Sequence, residues 1–329
     1  MLYKTTFSPQ AFNLEETTYS SLIGLLKELE KNCVILVDST KKLEKKLTDT
    51  VENLPEKYRK SAMMYYKSLK RKGRIIRQDF CDSSAIEENL CEFHRSAMAQ
   101  TSNLSMFTSE NCCLRSDALL NSRLISLEDY SLSNLFGNRK DNYAFPPAGI
   151  SRNDMEETIL IPLFETAKSI RLIDRYIGRS MIDSHGNIKP QLSKNYKNTL
   201  KWLFSIFDQY PSQPKKRLEI YTGVNPQRCL SHEQIMKLHN NLMNSFYQIR
   251  EKFTSFEFDL IIKRETSRSA MPHARYLFTN QLSLSIDRGF DLLFYDKPNM
   301  PIIRDVTICL ISEPENIEQS IRILPDLIG

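Results

Sequence analysis

Hydrophobic positions in the first part of the chain alternate between helical spacing and short continuous runs. Apolar residues at helical spacing within 14–31 predict an amphipathic helix. The apolar, β-branched run 33–37 predicts a strand that is covered on both faces, as in a parallel sheet. Two further helices are predicted over 41–53 and 55–72, followed by a short strand over 74–77. The pattern therefore predicts the order helix, strand, helix, helix, strand.

The second part of the chain repeats this alternation after a loop-like stretch rich in glycine and proline. Strands are predicted over 170–174, 218–223, 256–262, 276–279, 282–286 and 306–311. Helices are predicted over 156–168, 194–209 and 231–254. Alternating strands and helices are typical of α/β proteins. We therefore expect an α/β protein with a first domain over 1–140, a linker over 141–155 and a second domain over 156–329.

The length and composition are those of a folded protein with about two domains, and they do not indicate a function. The chain has 329 residues, of which 41% are hydrophobic and 26% charged. No apolar run is long enough for a membrane-spanning helix, and the first residues lack the pattern of a secretory signal. The seven cysteines form no Cys-x-x-Cys pair, which argues against a zinc ribbon and a disulfide framework. We expect a cytoplasmic protein with reduced thiols.

Acidic residues in the first half are the first candidates for chemistry. Asp38 closes the predicted strand 33–37, and Glu87, Glu88, Asp117 and Asp129 follow along the chain. Two or three converging carboxylates would bind Mg²⁺ or Mn²⁺ and activate water against a phosphodiester. The alternative for Asp38 and Asp117 is that each caps the start of a helix.

This order of acids resembles that of PIN-like nuclease domains over roughly 15–135. That family places an aspartate after its first strand, a glutamate in the middle and aspartates late. The resemblance implies a parallel-sheet nuclease domain. Asp38, Glu88 and Asp117 would hold the metal, with Asp129 or Glu87 as the further acid.

A basic segment lies between Lys57 and Arg77. It contains nine basic residues and no acidic one, with Tyr58, Tyr65 and Tyr66 between them. Basic side chains neutralise phosphates and aromatic faces stack on bases. The segment therefore predicts a nucleic-acid interface, and a solvated helix face is the alternative. The basic residues are Lys57, Arg59, Lys60, Lys67, Lys70, Arg71, Lys72, Arg74 and Arg77.

In the second half, His273 and Arg275 lead into a predicted strand, and Asn280 follows. Phospholipase D-type sites have His-x-Lys followed by an aspartate at this spacing, and their histidine attacks phosphorus. Here Arg275 occupies the lysine position, and its guanidinium group can still bind phosphate. Asn280 cannot supply the carboxylate. A metal-independent phosphodiesterase that uses His273 is therefore one alternative function.

Four short motifs resemble, in order, the phospholipase D-like C-terminal domain of MIT-domain proteins over roughly 155–312. They are LIDRYI (172–177), LEIYTG (218–223), HARYLFTN (273–280) and RGFDLLF (288–294). The resemblance implies a phospholipase D-like fold without lipase activity, which binds acidic lipid surfaces or partners and tends to dimerise. Its ligand residues would be Arg171, Asp174, His273, Arg275, Asn280 and Arg288. Alternatively, Arg275 pairs with Asp174 or Asp291 within the fold.

Taken together, these expectations describe a metal-dependent nuclease effector that acts on RNA or DNA. The C-terminal domain would control it through ligand recognition, a protein partner or homodimerisation. Bacterial relatives of that domain are fused to effector modules, which points to antiviral defence or a toxin. The main alternative is a non-enzymatic adaptor that binds a protein, nucleic acid or acidic lipid surface.

Overall fold

A computed structural model of the chain describes residues 2–12, 14–79, 96–98, 104–108, 123–133, 136, 142–145, 151–212, 214–226, 230–287, 290 and 306–328. The chain divides into two compact units, Met1–Lys140 and Asp141–Gly329. Each unit has its own β-sheet with helices, so both are α/β. Within the described residues, no helix is both long and apolar enough to cross a membrane.

The first unit contains a five-stranded sheet in which every neighbouring pair of strands is parallel. The strands are β1 (Tyr3–Phe7), β2 (Cys33–Asp38), β3 (Ile75–Gln78), β4 (Leu104–Thr108) and β5 (Leu124–Ser126). Their order across the sheet is β3-β2-β1-β4-β5. Since all five run in the same direction, their carboxyl ends meet at one edge.

The first strand differs from the expectation that the chain begins with a helix. Strand β1 is polar in sequence, but the Thr5 and Thr6 side chains are fully buried. The Thr5 hydroxyl donates to the carbonyl of Val34 at 2.9 Å, and the Thr6 hydroxyl donates to that of Leu36 at 2.7 Å. Both buried hydroxyls are thus satisfied by the backbone of β2.

Three helices of the first unit follow the predicted hydrophobic pattern. They are α1 (Tyr19–Asn32), α2 (Lys42–Glu52) and α3 (Glu56–Arg71). Each buries an apolar stripe, which in α1 consists of four leucines between Leu22 and Leu29. Helix α3 ends before Gly73, whose φ of 63° lies in the left-handed region that glycine adopts readily.

The second unit contains a seven-stranded mixed sheet. Its strands are β6 (Asn142–Phe145), β7 (Ser169–Ile173), β8 (Lys216–Val224), β9 (Phe256–Arg264), β10 (Arg275–Thr279), β11 (Ser283–Ile286) and β12 (Val306–Leu310). Their order is β6-β12-β11-β10-β7-β8-β9. Strands β7, β8 and β9 are parallel, whereas the other pairs are antiparallel. Strand β6 lies within the stretch 141–155 that was expected to be a linker.

The helices of the second unit flank these strands in chain order. They are α4 (Arg152–Met155), a π-helical turn (Glu156–Leu160), α5 (Ile161–Phe164), α6 (Arg175–Arg179), α7 (Lys194–Asp208), α8 (His232–Arg250) and α9 (Pro314–Arg322). Helix α7 carries Phe204 and Phe207, whose rings both contact Phe256 of β9. These aromatic contacts form part of the apolar core of the second unit.

Candidate functional site

Charged side chains collect at one edge of the second unit's sheet. Asp174 directly follows β7 and Glu265 directly follows β9, so both lie at the carboxyl ends of parallel strands. Strand β10 is antiparallel to β7, and therefore Arg275, its first residue, lies at the same edge. Ligands of open α/β sheets bind at the carboxyl ends of parallel strands.

Asp174 is fully buried and holds the start of α6 in place. One of its carboxylate oxygens accepts a hydrogen bond from the backbone N–H of Tyr176 at 2.8 Å, which caps the helix. The other oxygen accepts from the Tyr196 hydroxyl at 3.4 Å. The Nε of Arg275 lies 3.9 Å from Asp174, which agrees with the predicted pairing of these two residues.

Glu265 is also fully buried and organises two arginines. Its carboxylate lies 3.2 Å from the Nε of Arg175 and 2.8 Å from an Nη of Arg179, and it accepts from the backbone N–H of Met271 at 2.9 Å. A Cβ at Gly223 would come within 2.6 Å of the Glu265 side chain. Glycine at this position therefore makes room for the buried carboxylate.

Three guanidinium groups surround the ring of Tyr176. Those of Arg275, Arg179 and Arg175 lie 4.3, 5.8 and 5.9 Å from the ring centroid. The Tyr176 hydroxyl also shares a hydrogen bond of 2.9 Å with Nδ1 of His273, whose side chain is exposed. We call Arg175, Tyr176, Arg179 and Arg275 the arginine cluster.

The arginine cluster carries more positive than negative charge. Among the residues that the structure describes, three arginines face two carboxylates, those of Asp174 and Glu265. Arg175 is buried, but the side chains of Arg179 and Arg275 keep 33% and 20% of their surface exposed. Guanidinium groups that retain exposed donors can bind a further anion, and they match the geometry of phosphate and carboxylate.

Two predicted ligand residues lie away from this cluster. Arg171, within β7, pairs with Glu219 at 2.8 Å and with Glu318 of α9. Burial lowers the pKa of Arg171, but the two glutamates outweigh burial and hold it above its ordinary value. Asn280 lies beyond the far end of β10, about 16 Å from Arg275 by strand length. Its side-chain oxygen accepts from the backbone N–H of Lys168 at 2.7 Å, which is a structural role.

The remaining predicted ligand residue, Arg288, lies outside the described residues, as does Asp291, the alternative partner for Arg275. Sequence reasoning did not select Arg175, Arg179 or Glu265. Two of them immediately adjoin strand ends, Arg175 after Asp174 and Glu265 after β9. Their position at the carboxyl edge was the signal that could have identified them.

In the first unit, Asp38 is the end of β2 and is buried. Its carboxylate accepts from the backbone N–H groups of Lys42 at 3.0 Å and Leu43 at 2.7 Å, and from the Thr40 hydroxyl. This geometry is that of a helix cap at the start of α2. Asp38 also ends the second strand of the unit, whereas the first strand is followed by Ser8.

Of the other predicted acids, the structure describes only Asp129, and this residue lies away from Asp38. Asp129 is exposed and lies beyond β5, which is three strand spacings or about 14 Å from β2. Glu87, Glu88 and Asp117 lie outside the described residues. In the part of the chain that the structure describes, no three histidine, cysteine or acidic side chains are placed to hold a metal ion.

Several residues of the basic segment have structural partners. Arg74 is buried and donates to the carbonyls of Leu29 and Glu30 at the end of α1, and Lys72 pairs with the Glu30 carboxylate. Glu44 is contacted by Lys70 at 3.2 Å and by Arg77 at 2.9 Å. Burial raises the pKa of Glu44, but these hydrogen bonds outweigh burial and bring it below its ordinary value.

The other basic side chains are exposed, namely Lys57, Arg59, Lys60, Lys67 and Arg71. Lys60, Met64, Lys67 and Arg71 recur at intervals of four, three and four residues, so they share one face of α3. Met64 is 57% exposed between its basic neighbours. We call these four residues the basic stripe. Its three cations form no ion pair with any residue that the structure describes.

Comparison with known proteins does not add to this geometry. The sequence matches no protein-family model and no curated protein. Functional proposals for this chain therefore rest on its own residues and on the resemblances described above.

Proposed function

We propose that the second unit is a phospholipase D-like recognition domain that binds a phosphate-bearing ligand at the arginine cluster. The observation that carries this proposal is the charge balance around Tyr176. Three guanidinium groups lie within 6 Å of its ring centroid, against two carboxylates, and two of the arginines remain partly exposed. A phosphate group would balance this charge and accept several hydrogen bonds at once.

Binding is favoured over hydrolysis by the surroundings of His273. Its Nδ1 contacts the hydroxyl of Tyr176, a neutral group, rather than a carboxylate that would stabilise a charged imidazole. Asn280 lies at the opposite end of β10 and supports the backbone. These features support a recognition role, which corresponds to the adaptor alternative, over a phosphodiesterase that uses His273.

The test is a titration of the full chain with inorganic phosphate, a phosphomonoester and vesicles that contain a phosphorylated inositol lipid. We expect Arg275→Gln to weaken binding at least tenfold, because it removes one partly exposed guanidinium. Arg217→Gln is the matched control, since Arg217 is an exposed arginine at the opposite edge of the same sheet, paired with Asp259 at 2.8 Å. Equal binding by both variants, or none of the three probes bound by the wild type, would refute the proposal.

A second candidate function is that of a PIN-like, metal-dependent nuclease in the first unit. It is favoured by the basic stripe, which is exposed on the same unit as the parallel sheet. Asp38, Glu88 and Asp117 would hold Mg²⁺ or Mn²⁺, with Glu87 or Asp129 nearby. A carboxylate offers about four acceptor positions, and three of those of Asp38 are occupied, which leaves one for a metal ion.

This candidate is tested by cleavage of labelled single-stranded RNA and double-stranded DNA with Mn²⁺ or with EDTA. Asp38→Asn is the informative variant, because asparagine is a much weaker metal ligand than aspartate but keeps one of the two oxygens that accept backbone N–H groups of α2, and circular dichroism checks that the variant folds. We expect metal-dependent cleavage that is lost in this variant. Cleavage that survives EDTA and Asp38→Asn but not His273→Ala would instead support the phosphodiesterase.

If both units act as proposed, the chain is a nuclease effector whose activity follows ligand binding or dimerisation through the second unit. Such a pairing suits antiviral defence or a toxin. If only the second unit binds its ligand and no cleavage occurs with bound ligand, the chain is an adaptor.

A further inference from the structure

The first unit contains an open cleft of about 380 Å³ that the sequence did not indicate. Its walls come from the segment after β1, from the start of α1 and from one face of α2 with the turn that follows. The lining includes Phe12, Tyr19, Lys46, Asp49, Thr50 and Asn53.

The two sides of the cleft differ in chemistry. Phe12 and Tyr19 provide partly exposed aromatic rings on one side. On the other side, Lys46, Asp49 and Thr50 recur at helical spacing along α2 and provide donors and acceptors. A planar aromatic ligand with polar edges matches this combination, since rings stack on its faces and polar groups reach its edges.

Cations of α3 lie beside the rim of the cleft. The ring of Tyr19 contacts that of Tyr58 at 5.7 Å, and the Nζ of Lys57 lies 4.6 Å from the Tyr58 ring centroid. Arg59 reaches the carbonyl of Glu52 at 3.5 Å, next to Asn53 in the cleft wall. The first turn of α3 therefore places positive charge where the cleft opens.

The basic stripe extends this charge along the same helix. From Lys57 to Arg71 the helix rises about 21 Å, and the exposed cations Lys60 and Lys67 lie between them. A phosphate backbone lying along the helix would meet cations at regular intervals. Its end near Lys57 would lie next to the aromatic side of the cleft.

We infer that the cleft receives an unpaired base of a single-stranded nucleic acid whose backbone follows the basic stripe. This inference rests on the nucleic-acid binding proposed for the first unit. A base within a duplex is stacked and paired, so its faces and its pairing edge are not accessible. The cleft therefore selects single strands, whereas the basic stripe alone would bind both forms.

The experiment measures fluorescence anisotropy of a labelled 12-nucleotide oligouridine and of a fully paired duplex of equal length. The full chain is used, with EDTA present to prevent metal-dependent cleavage. Tyr19→Leu removes one aromatic wall but keeps an apolar side chain. Tyr247→Leu is the matched control, because Tyr247 is 49% exposed on α8 of the second unit and does not line the cleft. Thr50→Phe narrows the cleft without removing a wall, and circular dichroism confirms folding of each variant.

We expect Tyr19→Leu to weaken single-strand binding by roughly 5- to 150-fold, the range of one lost base–aromatic stack. Thr50→Phe should also weaken it, because the larger side chain takes up space that the base would occupy. Duplex binding should change less than twofold in both variants, and Tyr247→Leu should resemble the wild type. Lys67→Glu should weaken binding of both nucleic acids.

Two results would overturn the inference in different ways. If Lys67→Glu weakens binding but Tyr19→Leu and Thr50→Phe do not, the basic stripe binds nucleic acid and the cleft receives no base. If the wild type binds neither nucleic acid, the proposed nucleic-acid interface itself is refuted, and the inference with it.

Discussion

Lys216 at the start of β8 makes the stability of the second unit depend on pH. Its side chain is 2% exposed, and its Nζ donates to the carbonyls of Phe164 at 2.8 Å and Glu165 at 3.3 Å. The Nζ also lies 4.9 Å from the ring centroid of Phe207. Burial lowers the pKa of Lys216 from 10.5 to about 8, although the nearby Glu165 partly opposes this shift.

The sign of the effect follows from proton binding. Between pH 8 and 10.5 the unfolded chain binds more protons at Lys216 than the folded chain, so the free energy of unfolding rises with pH. Below pH 8 the lysine is charged in both states, and burying that charge costs about 3 kcal/mol. From pH 7 to pH 9.5 this group should therefore add about 2 kcal/mol of stability.

We expect Lys216→Met to remove this pH dependence. The free energy of unfolding of the wild type should rise by about 2 kcal/mol relative to that of the variant between pH 7 and pH 9.5. Urea unfolding followed by tryptophan fluorescence measures it, because the only tryptophan, Trp202, lies in α7 of the same unit. Lys215→Met is the control, since Lys215 is an exposed neighbour.

Parallel curves for the wild type and Lys216→Met over this pH range would refute the reasoning. They would mean that the buried amine keeps an ordinary pKa, as it would if water reached it. The absolute difference at one pH is less informative, because methionine also leaves two carbonyls without their donor.

Three further substitutions test other parts of the fold and site. Gly223→Ala should destabilise the second unit by about 1–3 kcal/mol, because the added Cβ would lie 2.6 Å from the Glu265 side chain. Urea unfolding monitored by Trp202 fluorescence measures this loss, and a variant as stable as the wild type would contradict the close contact. Glu265→Gln should lower the free energy of unfolding by about 3–5 kcal/mol in the same assay, since it removes the charge that balances buried Arg175. A loss below about 1 kcal/mol would show that Arg175 has another counter-charge. Asp38→Ala should cost the first unit about 1 kcal/mol in circular dichroism melts. Asp38→Asn should cost less, because the amide keeps one of the two acceptor oxygens; equal losses would argue against the capping role.

The elements with strong hydrophobic patterns were predictable from sequence. The helices α2 and α3 and the strand β2 lie within one residue of their predicted bounds, because each buries an apolar stripe or run. Helix α1 begins five residues later than predicted, at Tyr19. Strand β1 was not predicted, since its buried threonines look polar in sequence. They are buried at little cost because their hydroxyls bond to carbonyls of β2, a partner 29 to 30 residues away.

The candidate site was predictable only in part, because contacts between segments that are distant in sequence bring its residues together. Asp174, His273 and Arg275 were selected from short motifs, and the structure places them at one sheet edge. Arg179 and Glu265 belong to the same edge through an ion pair in which only Glu265 is buried. Their contact depends on the order of strands in the sheet, and hydrophobic periodicity in one chain segment does not specify that order.

Strand β6 has a practical consequence for work on the second unit alone. It pairs with β12 and forms one margin of the seven-stranded sheet. A fragment that starts at residue 156, as the hydrophobic pattern alone suggests, would lack this strand and leave unpaired the backbone groups of β12 that face β6. Uncovered margins of this kind recruit strands from other molecules. Fragments intended for crystallisation or ligand titration should therefore begin no later than Asp141, the first residue of the compact unit.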